Sequence, residues 1–549
     1  MFQDLVGSTQ WCGTESGSDL VPQLGCNRGR RVATALRTAP RTNSQRIYEQ
    51  PSLAFLVLLT LALCFSPVFG QEKAQPAPPL QTKTKQAQLI ARLENFIPQL
   101  IKDGDVPGLA IALVRDGNLV WQRGFGVKSA NTNEPVNDET VFEAASLSKP
   151  VFAYAVLKLV DAGKFDLDKP LNQYRPGKYD VGDDARLGQI TARRVLSHTS
   201  GFPNWRQPGG PLTIHFTPGE RFSYSGEGFV YLSKVIEHIT GEKFNDFMQR
   251  MVFEPLGMTS SSYVWQASYD TLKAFRHNTR GEAAGQGKMS PGAFNAAASL
   301  HTTARDYGRF VAAILQGTGL KPETRKLMLT PQVQVREGGA GTVNRPQAKP
   351  FPEVFWGLGW GLQTTREGVS FFHWGDNGDN KAYVVAFNKE KLGVVVFANS
   401  TYGLSIAREL VAEAVGGEQP ALAWLRYESY KSPGRQLFKS LLAKGAEAAL
   451  KEYREWRKEN LTSEAINEDR LNRYGLDLLR MGRVKDAIEV LKQNVAEYPQ
   501  SFNVYDSLGE AYAANGDKEL AIKNYERSIE LNSANKEGIE ALKKLRENK

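Results

Sequence analysis

The sequence predicts an α/β domain, with an antiparallel sheet built from both of its ends and an all-α part inserted between them, followed by an all-α helical array. Three observations carry this. The apolar run Leu109–Val114, the turn Asp116-Gly117 and the returning run Leu119–Gly124 form a hairpin signal. Val369–Trp374, Ala382–Phe387 and Gly393–Ala398 read as three further strands, the last two joined at Asn388–Lys391. From about residue 440 the composition shifts to Ala, Glu, Lys, Leu and Tyr at helical spacing, and a 34-residue repeat aligns Gly475 with Gly509 and Gly482 with Gly516.

A chain of 549 residues has room for two to four domains at roughly 100–200 residues each. Hydrophobic residues make up 41% and charged residues 23%, which excludes collagen-like, coiled-coil and largely disordered chains. The net charge of +9 is spread out, with no Lys/Arg run and no basic–aromatic alternation, which argues against nucleic acid as a partner.

Residues 1–70 read as an N-terminal extension and signal peptide. Leu53–Phe65 is an apolar run preceded by Arg46, too short for a membrane span of about 20 residues. Val68 and Gly70 place cleavage before Gln71 and imply export to a periplasm or the cell exterior; an uncleaved run would instead be a membrane anchor. Residues 1–46 lie far ahead of that run, with no second methionine before Met248, and are read as a start assigned too early. Cys12, Cys26 and Cys64 all fall in this stretch, so nothing after residue 70 depends on cysteine chemistry.

Residues 71–86, rich in Pro, Ala, Gln and Lys, form a linker. The main domain spans 87–420 and opens with an amphipathic helix near Leu89–Ile101. Residues 421–439 read as a connector and 440–549 as the repeat region. Its second unit carries Tyr505, Leu508, Gly509, Tyr512, Ala521 and Tyr525, and Ala446–Trp456 forms an earlier partial unit.

No HExxH, paired-cysteine or EF-hand spacing occurs, and the six histidines do not cluster, so no metal or cofactor is expected. Gly357-Leu-Gly359-Trp-Gly361 reads as close backbone packing, and a GxSxG elbow is absent. The informative site is Ser146-Leu147-Ser148-Lys149. A helix beginning near Ser146 puts Ser146 and Lys149, three residues apart, on one face. A serine hydroxyl needs a base to take its proton, and a lysine serves only if burial lowers its pKa. The helix N-terminus would supply amides where an oxyanion forms. Spacing alone is weak, because Ser533-Ala-Asn-Lys536 matches it in the repeats.

Glu143–Pro150 (EAASLSKP) with its following helix resembles the nucleophile motif of serine β-lactamases and penicillin-binding proteins, most closely the group of class C β-lactamases, D-alanyl-D-alanine carboxypeptidases and esterases. Tyr224, within Phe222–Phe229, stands where that family carries Tyr-x-Asn, and His373-Trp374-Gly375 where it carries Lys/His-x-Gly. Leu196–Pro203, Phe253–Met258, Ala298–Phe310 and Gly357–Leu362 extend the likeness over roughly residues 90–415. The resemblance implies a β-lactamase-like fold, its antiparallel sheet flanked by helices and an all-α subdomain, and a covalent acyl-enzyme acting on an amide, ester or β-lactam. Ser146 would attack, Lys149 would hold its proton, and Tyr224, if its pKa is depressed by Lys149, would shuttle it. The amides of Ser146 and Asp376, beside Gly375, would form the oxyanion hole, and His373 would face a substrate carboxylate or the tyrosine.

Two departures stand out. Gly226 replaces the family's usual Asn and removes a contact to a substrate amide. Asp379 would oppose anionic substrates if it pointed inward. The C-terminal units resemble tetratricopeptide repeats, which implies a protein partner beside a small-molecule or peptide substrate. The alternative reading is a catalytically weak hydrolase fold whose main role is partner binding through the repeats.

Overall fold

Ten strands form among the residues described in the computed structural model, which are 76–547 apart from 178, 342, 344 and 464. The three cysteines, the apolar run Leu53–Phe65 and the cleavage position Gly70-Gln71 lie outside them. In chain order the strands are β1 (Gly108–Arg115), β2 (Asn118–Gly126), β3 (Phe142–Glu143), β4 (His301–Thr302), β5 (Val333–Arg336), β6 (Pro350–Trp356), β7 (Gly361–Thr365), β8 (Gly368–Asp376), β9 (Lys381–Phe387) and β10 (Leu392–Ala398). Eight of them make one sheet in the order β2-β1-β10-β9-β8-β7-β6-β5, antiparallel throughout, and β3 pairs with β4 alone.

The chain closes on itself because β1, from the start of the domain, pairs with β10 from its end, Ile111 opposite Val396. Both strands are buried on both sides, so they read as continuous apolar runs. Alternate side chains enter different cores. Ala110, Ala112, Val384, Ala386, Val395 and Phe397 face the all-α part and the helix Ser148–Asp161. Leu109, Ile111, Leu113, Tyr383, Val385 and Val394 face the opening helix Gln86–Asp103 and the helix Ala407–Ala414. The opening helix contributes Leu89, Leu93, Ile97 and Leu100 at spacings of three and four, one apolar stripe.

Five strands are absent from the expectation: the short pair β3 and β4, and β5 to β7 of the main sheet. The stretch Gly357–Gly361, read as close packing, is the tight link between β6 and β7. Pro350 and Pro352 sit inside β6, and the β5–β6 register shifts between Gln334 and Arg336, so no clean two-residue alternation marks the pair.

The segment 421–439 is no free connector. The helix Pro420–Leu425 packs Trp424 into the sheet core, its indole donating to Arg336 O at 2.9 Å. Tyr427 Oη donates to Asp376 Oδ2 at 2.6 Å. The helical array opens at Pro433, ahead of residue 440, with the helix Pro433–Lys444. Its Arg435 donates to Asp105 Oδ2 at 2.7 Å and lies over the Tyr402 ring, so the array leans on the main domain.

Six further helices follow: Ala446–Glu459, Glu468–Arg480, Val484–Glu497, Phe502–Asn515, Lys518–Leu531 and Lys536–Glu547. The 34-residue register has a packing cause. A β-carbon at Gly475 would lie 2.5 Å from Leu491 Cγ, and one at Gly509 would lie 3.2 Å from the Tyr525 ring. Each glycine lets the two helices of its unit approach. Gly482 (φ +73°) and Gly516 (φ +87°) make the equivalent left-handed turns between them.

Candidate active site

Chain geometry isolates Ser146. Ala144 donates its N–H to Leu300 O at 2.8 Å, and Ala145 then adopts φ +49°, a left-handed conformation that costs a non-glycine residue roughly 1–2 kcal/mol. Surrounding bonds hold it there. Ser148 Oγ donates to Ala145 O at 2.5 Å and accepts from Leu300 N at 3.0 Å. Tyr307 Oη donates to Leu147 O at 2.9 Å and Tyr263 Oη to Ser148 O at 2.6 Å. Ser148 is thereby occupied as a structural clamp. Ser146 falls in a 3-10 turn, Ala145–Leu147, one step before the α-helix, which starts at Ser148 rather than at Ser146. It is the one residue from Val141 to Pro150 that is not buried.

Lys149 is fully buried, its Nζ 3.0 Å from Ser146 Oγ and donating to Ala297 O at 2.9 Å. Burial pushes its ammonium well below the ordinary lysine range, so the neutral amine is favoured. Nζ also sits 4.6 Å from the centre of the Tyr224 ring.

Tyr224 is buried beside this pair, but its pKa is not depressed. Burial raises it, only partly offset by the Ser146 hydroxyl. Lys149, whose own charged form burial disfavours, does not offset that rise. Tyr224 Oη is buried, with the Ser146 hydroxyl as its neighbour. His198 fixes the tyrosine's place. Its ring lies 4.2 Å from that of Tyr224, its carbonyl accepts from Ser223 N at 2.8 Å, and its Nδ1 accepts from Ser225 N at 3.0 Å. Burial lowers the His198 pKa far enough to keep the ring neutral, as an accepting Nδ1 requires.

The end of β8 flanks the serine turn. Its ladder to β7 stops at Phe372–Gly361, whereas the ladder to β9 continues to Asp376–Lys381, which leaves one backbone edge of the last residues beyond any strand partner. Gly375 lies against the carbonyl of Ala144. His373 is wholly buried, its Nδ1 2.7 Å from Trp374 O and its ring 6.1 Å from that of Tyr224. Burial, with the nearby Lys149, lowers its pKa to about 3. The Asp376 carboxylate is taken up by Lys381 and Tyr427. Asp379 turns away, accepting from Thr401 Oγ1 at 2.6 Å.

One buried network escaped the sequence reading. Glu143, three residues before Ser146, accepts from Arg276 Nη2 at 2.7 Å and Asn380 Nδ2 at 3.3 Å, is bonded by Asn377 Nδ2, and lies 3.6 Å from Lys273 Nζ. Burial alone would raise its carboxyl, but Lys273 and Arg276 together bring it down to about 2. Glu143 thus ties the approach to Ser146 to the loop that follows β8. The available signal was an acidic residue in the otherwise small and apolar stretch Val141–Ala145. Among the described residues no cluster of His, Cys, Asp or Glu could hold a metal ion, and no helix is long and apolar enough to cross a membrane.

A serine held against a buried lysine beside an antiparallel sheet, with helical repeats appended, defines a β-lactamase-like α/β protein. The β-lactamase family model matches residues 93–415, well over half of the chain, and the protein belongs to that family. A tetratricopeptide repeat model matches residues 502–535. The chain is 27% identical over 339 residues to penicillin-binding protein 4 of Amycolatopsis lactamdurans, covering 57% of this chain and 87% of that protein. It is 25% identical over 326 residues to esterase EstB of Burkholderia gladioli, covering 50% and 79%. Among solved structures, a β-lactamase/D-alanine carboxypeptidase from Pseudomonas syringae shares the fold at a TM-score of 0.50 and 20% identity, covering 60% of this chain and 98% of that one. An octameric penicillin-binding protein homologue from Pyrococcus abyssi does so at a TM-score of 0.50 and 22% identity, covering 64% and 82%.

Proposed function

We propose that the protein is an exported serine hydrolase that works through an acyl-enzyme on Ser146, on an amide, ester or β-lactam carbonyl. The observation that carries this reading is the 3.0 Å contact between Ser146 Oγ and a Lys149 amine whose pKa burial lowers. A neutral amine at that distance accepts the hydroxyl proton as Oγ bonds to the carbonyl carbon. The negative charge on the carbonyl oxygen falls between the Ser146 amide and the free edge of β8 at Gly375 and Asp376. Collapse breaks the bond to the leaving group, which takes a proton relayed from Lys149 through Tyr224. Tyr224 remains neutral in this role, as its raised pKa favours. Water, losing a proton along the same route, then releases the acyl group and restores Ser146.

Esters are favoured over amides and lactams, because Gly226 offers no side chain to a substrate amide. The signal-like run Leu53–Phe65 supports export, and the repeats add a surface for a protein partner. Exposure to a fluorophosphonate, followed by intact mass and peptide mapping, tests the reading. An adduct on Ser146 that is absent from Ser146→Ala supports it. No adduct on the folded protein would favour a binding module instead.

A further inference from the structure

Gly226, at the start of the helix Gly226–Thr240, has its missing side chain replaced from elsewhere in the chain. A β-carbon on it would lie 2.4 Å from Cη2 of Trp205, 2.7 Å from Cζ3 and 2.8 Å from Cζ2. The indole therefore fills the volume a residue 226 side chain would take. It is also the exception to a rule the domain otherwise keeps. Large aromatic residues around Tyr224 are buried, whereas Trp205 is 42% exposed. A half-exposed indole packed on the residue two positions after Tyr224 is an apolar surface that water covers poorly.

The backbone that carries the ring is anchored on both sides. On one side of it, Asn204 O accepts from the amides of Gly226 at 3.0 Å and Glu227 at 3.1 Å, and Asn204 Oδ1 accepts from Gly226 at 3.1 Å. On the other, the Arg206 guanidinium forks onto Glu227, Nε to Oε1 at 3.0 Å and Nη2 to Oε2 at 2.8 Å. Arg206 Nη1 reaches Asp180 at 3.0 Å as well. Both chain neighbours of Trp205 are thus bonded to the residues that follow Tyr224, so the indole moves with the tyrosine segment. Such anchoring presents an aromatic face at little ordering cost on binding.

From this we infer that Trp205 is the specificity-determining wall of the site and selects substrates whose acyl group is apolar and ring-sized, aryl-alkanoyl esters above all. The inference rests on the hydrolase reading of Ser146. The acyl side is the portion concerned because it alone stays on Ser146 after the alcohol has left. It must be held through both half-reactions by a surface that does not depart with the leaving group. No charged group of the Asn204–Glu227 clamp is left over to hold a polar acyl chain, since Glu227 is paired with Arg206.

The test compares kcat/KM for 4-nitrophenyl phenylacetate and 4-nitrophenyl acetate, which share a leaving group, on the full chain. The wild-type protein is expected to prefer the phenylacetate. Trp205→Ala should reduce that preference about tenfold, within the range for removing one apolar contact. Trp205→Phe, which keeps a ring, should retain most of it. Fluorophosphonate labelling of Ser146, carried to completion whatever its rate, shows that each of the three proteins is folded with its serine activated. Normal labelling with an unchanged acyl preference in Trp205→Ala would overturn the wall and leave the hydrolase standing. No labelling of the wild-type protein would sink both.

Discussion

Gly375 and Ala144 meet backbone to backbone: a β-carbon on residue 375 would lie 2.4 Å from the Ala144 carbonyl oxygen. The glycine of the His373-Trp374-Gly375 motif is thus required by the spacing between β8 and the turn that carries Ser146. Gly375→Ala must push the two apart, because the obstacle is main chain and cannot swing away. A displacement near 1 Å at a reacting centre can slow it about 100-fold. Labelling of Ser146 by a fluorophosphonate should slow by that order while circular dichroism stays native. A labelling rate close to wild type would show that the edge of β8 takes no part.

Lys149 links function to stability through pH. Its pKa is lowered in the folded state, so the unfolded chain binds the extra proton and stability rises with pH up to the ordinary lysine value near 10.5. Lys149→Met, which has no proton to lose on folding, should melt higher than wild type at pH 7. The gap should narrow as pH approaches 10. Acylation in the wild-type protein should fall on the acid side, as Lys149 takes up its proton. An acid limb that persists in Lys149→Met would assign it to another group.

Glu143 carries the opposite sign. Its carboxyl ionises near 2 in the folded protein, so its contribution is fully present above the unfolded value of 4.5 and is lost as pH falls toward 2. Glu143→Gln leaves Arg276 and the buried Lys273 without their counter-charge, which costs about 3–5 kcal/mol. Denaturant unfolding at pH 7 against pH 3 measures it. A loss equal at both pH values would mean that shape, not charge, is what Glu143 supplies.

Truncations separate the two ends of the repeat array. A chain ending at Gln500 lacks the last three helices and should keep both the labelling of Ser146 and the melting temperature of the main domain. A chain ending at Ser432 also loses Arg435 from Asp105 and Tyr402. It should melt lower, on the order of 2–4 °C for each kcal/mol lost. Equal melting of the two would show that the Arg435 contacts add no stability.

What the sequence made legible follows from how far apart the partners lie. Ser146 and Lys149 are one helical turn apart, so their encounter is written into local geometry, and the glycine and alanine register of the repeats is likewise local. Strands β1 and β10 were visible because both are buried runs. The Glu143 network was hidden because its partners stand 133 and 234 positions away, joined only when β3, β8 and the intervening loop are folded together. Tyr224 was located by its order along the chain, yet its raised pKa depends on burial, which no motif reports. The onset of the helical array carries a local signal of its own. Ser432 accepts from Arg435 N at 3.0 Å, and Ser-Pro at a helix start is a recognisable cap that the composition shift at residue 440 overshadowed.

The bond from Tyr427 to Asp376 alters how this chain can be taken apart. A borrowed hydrolase module cut at residue 420, where the last sheet-packed segment looks finished, would leave Asp376 without its phenol and Trp424 without its slot in the core. A chimera that carries a different tail should therefore place its junction between Tyr430 and Ser432, downstream of that handhold.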